Sequence, residues 1–433
     1  MGAQLASVPR AVGLVLLLTA LFTAVTAQTA EPPLTVEECV RRALSVPSAV
    51  SIARRDREIA DRDRAQVRAG FLPQSVASFG SVYTSPSRQD RSTFSFVAAN
   101  GIREYVGLAN IFQEIDTSGR IRAEYARAKA GQDAATASLA ITERDLKRAV
   151  AAAYYRLLLA RHLVDVIRSA LAESESFERR ARLLSDAGEA ARADVVKAST
   201  QVAFLRQSLA SAELAATLAN QDLAAFWTRE VEQSLNVVDT FAQSLPEPEP
   251  SPPASLPFLR RFEFRLFEAQ QRGFQAESRR ERAGLFPQLS WTFQYGLDVN
   301  RVAWSNRGYT AFATLNVPIF DWFQSVNAGR QFSLRAAQVA DNRSISERRF
   351  SQEYQSALAR VKQFYEQVSQ SKTQVALAEE DLNLSRVRYE GGEGAALDVV
   401  VAQNQLAQAR TNYFSSIANY LNARLDLEVA SGR

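Results

Sequence analysis

Few side chains in this 433-residue chain could do chemistry alone: there is one cysteine, Cys39, and one histidine, His162. Disulfide frameworks, Cys/His zinc sites and multi-histidine metal centres within one chain are therefore excluded, and chemistry would fall to carboxylates, serines, lysines or arginines. No Ser/His/Asp set, phosphate-cradling glycine loop or carboxylate dyad stands out among them. No enzyme activity, cofactor or metal is expected. Cys39 reads as a packed, inert thiol. His162, one turn past Leu158 among aliphatic residues, reads as a structural or surface residue.

The 51 Lys plus Arg against 47 Asp plus Glu leave a formal charge of +4, weak support for a polyanion partner. Only five of these cations are lysines, and the arginines alternate with acids, as in Arg54-Arg55-Asp56-Arg57-Glu58. Such mixed-sign runs read as solvated helix faces with local ion pairs, and no nucleic-acid partner is expected.

An apolar run over residues 11–25 follows Arg10 and ends in Val25-Thr26-Ala27. It is short for a bilayer span and reads as a secretory signal, residues 1–27, with an uncleaved anchor as the other reading. Cys39, behind Val36-Glu37-Glu38, lacks the small-residue setting of a lipidated cysteine. Beyond the signal no window of about 18 uncharged apolar residues occurs, so any membrane span of the mature chain must be β.

The chain is written twice. Arg68-Ala69-Gly70-Phe71-Leu72-Pro73-Gln74 returns as Arg282-Ala283-Gly284-Leu285-Phe286-Pro287-Gln288, and Gly119-Arg120 as Gly329-Arg330. The block from Gly188 through Asp194-Val195-Val196 is echoed from Gly392 through Asp398-Val399-Val400. Repeats of this kind set the fold before any single element does. The first unit is expected over 28–245 and the second over 258–433. The proline-dense stretch 246–257 between them favours an extended path and reads as a semi-rigid linker.

Each unit reads as helix, two strands, helix, helix. Thr35 and Glu38 form a capping-box pattern opening a helix expected to run to Pro73. After Pro287 the period becomes two. Trp291, Phe293, Tyr295 and Leu297 alternate with polar residues, and Tyr309, Ala311, Ala313, Leu315 and Val317 do the same. In the first unit Ala77, Phe79, Ser81 and Tyr83 alternate less cleanly, and the next strand is expected at Phe94, Phe96 and Ala98. The remainder carries heptads: Val195, Val202, Leu209, Ala216 and Leu223 with partners three residues on, and Val399, Leu406, Tyr413, Tyr420 and Leu427 likewise. Val150, Leu157, Val164 and Leu171, then Val361, Val368, Val375 and Leu382, supply matching seams. From Gly119 to Gly188 an unbroken helix would be on the order of 100 Å long.

Strands of nine or ten residues suffice to cross a bilayer when tilted. Four strands cannot close, and an open edge is not tolerated in hydrocarbon, so other copies must complete the sheet. Two copies would give a barrel filled by its own side chains, whereas three give twelve strands and a pore. Twelve long helices would continue that pore away from the membrane. The competing reading, of a different class, is a periplasmic coiled-coil adaptor or structural stalk without pore activity.

Leu34-Thr35-Val36-Glu37-Glu38, the duplicated Ala-Gly-X-X-Pro-Gln, Val317-Pro318-Ile319-Phe320-Asp321, and Arg388-Tyr389-Glu390-Gly391-Gly392 ahead of Leu397-Asp398-Val399-Val400 resemble the outer membrane efflux protein (TolC) family. The resemblance covers nearly the whole mature chain. It implies an α+β membrane protein, a homotrimer with a twelve-stranded outer-membrane β-barrel continued by a long periplasmic α-barrel. It also implies a passive exit duct of a tripartite efflux or secretion system, partnered by a periplasmic adaptor and an inner-membrane pump.

By the same resemblance, Gly188 and Gly392 are the turns of the periplasmic helix-hairpin tips, where with Leu397 the adaptor docks. Asp398 matches an aperture-lining acid whose three copies would favour cations. The plainer reading of Asp398 is a residue favoured by the helix dipole. Asp194 is its counterpart on the first tip. Tyr389 would bond across to the other tip to hold the closed state, although it also extends the Val361 to Leu382 seam. Gly394 and Val401 depart from the arginine and second acid of some members, which implies a looser gate or one held by other contacts.

Overall fold

A computed structural model of the chain describes residues 33–83, 85, 103–248 and 256–432. The signal peptide, the strand expected at Phe94 to Ala98 and much of the proline-rich linker lie outside the described residues. Helices α1 (Val36–Ser45) and α2 (Ala49–Ala69) precede strands β1 (Gln74–Tyr83) and β2 (Arg103–Ile115), then helices α3 (Arg120–Asp186) and α4 (Arg192–Ala224). The second unit repeats this as α5 (Phe262–Ala283), β3 (Gln288–Val299), β4 (Gly308–Asn316), α6 (Gln324–Glu390) and α7 (Ala396–Ala430).

The first helix is two helices. The Glu38 N–H donates to Thr35 Oγ1 as the capping pattern requires, but Pro47 forces a break, and Val46 before it is extended (φ −100°, ψ 162°) because a proline ring disfavours the helical region for its predecessor. In the second unit α5 matches α2 alone and begins just past the position equivalent to Pro47, after a short 3-10 turn at Pro257–Arg260. The duplicated Ala-Gly motif closes α2 and α5 with the same turn. Gly70, Phe71 and Leu72 donate to the carbonyls of Val67, Arg68 and Ala69, and Gly284, Leu285 and Phe286 to those of Glu281, Arg282 and Ala283.

The four strands form one antiparallel sheet in chain order, with β2 against β3 joining the two units. Gln74 of β1 faces Phe112 of β2, Tyr105 of β2 faces Val299 of β3, and Gln288 of β3 faces Asn316 of β4. This register sorts the side chains. Phe79, Tyr83, Ile111, Leu289, Trp291, Phe293, Tyr295, Tyr309 and Leu315 share one face, and Ser78, Asn110, Glu114, Thr292, Gln294, Thr310 and Asn316 share the other. Gly296 (φ +152°) crosses the β2 backbone so closely that a Cβ there would lie 1.9 Å from the Gly107 carbonyl oxygen. Strands β1 and β4 are exposed along their whole length and, among the described residues, leave two unpaired edges.

Below the sheet, α3 and α6 are both 67 residues long. Their starts, Arg120 and Gln324, and their tip glycines, Gly188 and Gly392, are separated by the same 204 positions. The counterpart of Gly119 is therefore Phe323, not Gly329: both cap their helix in the left-handed region (φ 79° and 62°). Gly329 lies inside α6, where its missing side chain admits Arg282 and Ser278 of α5. Every heptad residue of α4 and α7 is buried or half-buried, consistent with antiparallel pairing of α3 with α4 and α6 with α7. Among the described residues no helix is long and apolar enough to cross a membrane.

The largest buried cluster lies midway, where Tyr154, Leu157, Leu223, Ile417 and Tyr420 are sealed by residues 34–43 and by segment 225–245. Leu34 and Val237 form a parallel bridge, and Tyr154 Oη donates to the Val238 carbonyl at 2.6 Å. Nearer the sheet, a nearly buried Glu263 accepts from Arg261 at 2.8 Å and Arg144 at 3.0 Å. The Arg261 guanidinium also lies 3.7 Å from the Phe350 ring centroid.

Candidate functional site

The hairpin tips farthest from the sheet are built alike. Glu189 and Ala190 N–H donate to the Leu184 carbonyl, and Glu393 and Gly394 N–H to the Arg388 carbonyl. These bonds satisfy the last carbonyls of α3 and α6 only if the preceding residue is left-handed. Gly188 (φ 78°) and Gly392 (φ 73°) supply that conformation. The chain reverses at both glycines, between α3 and α4 and between α6 and α7.

The first turn of α7 exposes Leu397 and Asp398. Asp398 Oδ2 accepts from the Ala395 N–H at 3.3 Å, so this carboxylate supports the helix start while remaining open to solvent. Asp194 holds the matching position on α4, is half-buried, and lies 3.8 Å from Lys197 Nζ. Both carboxylates lie in the first turn of their helices, where they oppose the helix dipole.

Tyr389, at the last turn of α6, does not face solvent. Its ring packs edge-on against Phe177 of α3, centroids 5.1 Å apart, within a buried cluster that also contains Ala198, Leu382, Val399 and Leu406. The hydroxyl is buried and makes no hydrogen bond to a described residue. Burial raises the phenol pKa, and the Asp194 carboxylate across the hairpins raises it further. Tyr389 therefore bridges the two hairpins by packing.

Sequence reasoning missed the polar contacts beside it. Arg180 of α3 pairs with Glu390 of α6. Ser174 Oγ donates to Gln403 Oε1 at 2.9 Å in a buried setting, and Gln201 Nε2 donates to Asn404 Oδ1 at 2.6 Å. Within each hairpin the ion pair Glu175 to Arg206 (2.8 Å) is duplicated as Glu379 to Arg410 (2.9 Å). That duplication was legible, since both members recur at the tip spacing. Arg410 also reaches Glu173 of the other hairpin at 3.9 Å.

His162 sits elsewhere, between the rings of Phe414 (4.2 Å) and Phe241 (5.4 Å), with Nε2 3.1 Å from Asp239 Oδ2. It pins segment 225–245 to the helices, so its neighbours are aromatic rather than aliphatic. Cys39 is fully buried, and its thiol pKa is pushed up to about 11, chiefly by desolvation. Among the described residues no group of His, Cys, Asp or Glu could hold a metal ion.

An amphipathic antiparallel sheet mounted on two equal coiled-coil hairpins defines a subunit of an outer-membrane channel. The chain belongs to the outer membrane efflux protein family, whose model matches residues 40–229 and 258–433, one match to each unit. It is similar to the pyoverdine export outer membrane protein OpmQ of Pseudomonas aeruginosa, 28% identical over 309 residues. That match covers 69% of this chain and spans 63% of the relative's length. The fold is that of the outer-membrane channel OprN (TM-score 0.81, 18% identity, 92% of this chain and 89% of that one). VceC of Vibrio cholerae (0.79, 16%, 92% and 96%) and CmeC of Campylobacter jejuni (0.81, 16%, 92% and 85%) share it. The protein is thus an outer-membrane protein whose helices extend into the periplasm.

Proposed function

We propose that three copies of this chain form the exit duct of a tripartite export system, a passive conduit gated at the hairpin tips. The observation that carries this reading is the open four-stranded sheet, with an aromatic face, a polar face and two unpaired edges. Such a sheet is stable in hydrocarbon only when identical neighbours close it, and an even number of antiparallel strands per copy lets the ring close antiparallel. Three copies place a polar lumen above a tube of long helices.

The driving force comes from an inner-membrane pump, the partner that the family resemblance implies. A periplasmic adaptor docks on the exposed tips around Gly188, Gly392 and Leu397. Asp398 lines the aperture, and Asp194 backs the Tyr389 contact. The test is the mass of the purified protein in detergent together with conductance in planar bilayers. A trimer giving discrete single-channel currents is expected, and a monomer soluble without detergent overturns the reading. Export cargo is identified by the compound retained in a deletion strain and lost again on complementation.

A further inference from the structure

The internal duplication fixes how one copy meets the next. The contact of Gln74 with Phe112 is repeated as Gln288 with Asn316, so β3 is the counterpart of β1 and β4 that of β2. The junction of β2 with β3 is therefore a visible copy of a junction no single chain can make, that of β4 with the β1 of a neighbour. We infer that this intermolecular seam takes the β2 to β3 register. Ile111 opposite Phe293 becomes Leu315 opposite Phe79 of the next copy, and Gly107 opposite Leu297 becomes Ala311 opposite Tyr83 of the next copy.

A second observation supports this register independently. Side-chain direction alternates along a strand, so a one-residue slip would turn one strand's aromatic face into the lumen. The transferred register sets Phe79 and Tyr83 beside Leu315 and Ala311 on the aromatic face, and Val82 beside Phe312 on the other. Phe79 (86% exposed), Tyr83 (70%) and Leu315 (59%) are among the most exposed apolar residues of the sheet, and all three stand on its two edge strands.

The register also assigns a role to residues 317–319. Their counterparts, Gln113, Glu114 and Ile115, pair with Trp291, Ser290 and Leu289 at the membrane end of the helices. Ile319, 95% exposed, thus comes to lie opposite Ser75 of the next copy, and β4 lengthens by three residues on assembly. The seam begins at the foot of the barrel, beside the left-handed turn at Trp322 and Phe323.

This register rests on the trimer proposed above, and its test separates the two. In a Cys39→Ala background, Leu315→Cys with Phe79→Cys is compared in outer-membrane preparations with Leu315→Cys paired to Ala77→Cys or Ser81→Cys. Directly opposite Cβ atoms lie about 5 Å apart and diagonal ones about 7 Å, so oxidation should yield at least roughly fivefold more covalent trimer from the first pair. Faster cross-linking of either control overturns the register. So does a trimeric mass in detergent with no cross-link from any pair, which leaves the trimer standing. A monomeric mass sinks the trimer and the register together.

Discussion

Tyr389 and Phe177 meet edge-on at 5.1 Å between the two hairpins, and the tyrosine hydroxyl beside them is buried without a hydrogen-bond partner among the described residues. Tyr389→Phe should therefore be neutral or stabilising by up to about 1 kcal/mol, whereas Tyr389→Ala should cost about 3 kcal/mol through the cavity it leaves. Thermal unfolding in detergent and single-channel open probability measure both. A phenylalanine variant as damaged as the alanine one would mean that the hydroxyl bonds across the tips.

Gly188 and Gly392 have open space where a Cβ would go, so alanine there meets a conformational cost alone. Each substitution should loosen its own tip by roughly 1 kcal/mol, speeding amide exchange at residues 185–191 or 389–395 several-fold while leaving global melting nearly unchanged. Slowed exchange at the substituted tip would contradict the left-handed requirement.

Burial raises the pKa of Glu263, but the hydrogen bonds from Arg261 and Arg144 outweigh it and hold the carboxyl at about 2, against 4.5 ordinarily. A depressed carboxyl contributes stability above its unfolded value and loses it as pH falls from about 5 to about 2; the whole amount is on the order of 3 kcal/mol. Glu263→Gln should accordingly melt lower than the parent at pH 7, with the gap narrowing toward pH 3. A gap independent of pH would show that the charge contributes nothing.

Cys39 is fully buried, with its thiol raised to about 11. Maleimide should leave it unmodified in the folded protein at pH 7.5 and label it fully in denaturant. Rapid native labelling, read by mass spectrometry, would place α1 in an open state.

Asp398→Asn should weaken cation preference in single-channel recordings and relieve block by multivalent cations. Unchanged reversal potentials in asymmetric salt would remove Asp398 from the aperture.

The heptads and the tips were legible because their signals are local. A seam repeats every seven residues in the chain itself, and a tip turn needs a glycine. Strand β2 went unread because Val106, Leu108 and Phe112 put apolar residues on the polar face, erasing the period of two. The break at Pro47 was legible too, because a proline twelve residues into the expected helix removes a backbone donor and drives Val46 to the extended region. The Tyr389 to Phe177 and Arg180 to Glu390 contacts depend on how two separate hairpins lie side by side, which no single-helix period encodes. Gly329 misled for another reason: a repeated Gly-Arg pair matched in letters, whereas the structural counterpart of Gly119 is a phenylalanine in the same left-handed turn.

The equal lengths of α3 and α6 make the chain a pair of matched measuring rods. Removing one heptad from α3 alone would preserve its seam but draw the first tip about 10 Å nearer the membrane than the second, at 1.5 Å per residue. Phe177 would then slide past Tyr389, and Arg180 past Glu390. The span below the membrane can be changed only in both rods together and only in whole heptads, so evolution of this duct's reach is constrained to paired, quantised steps.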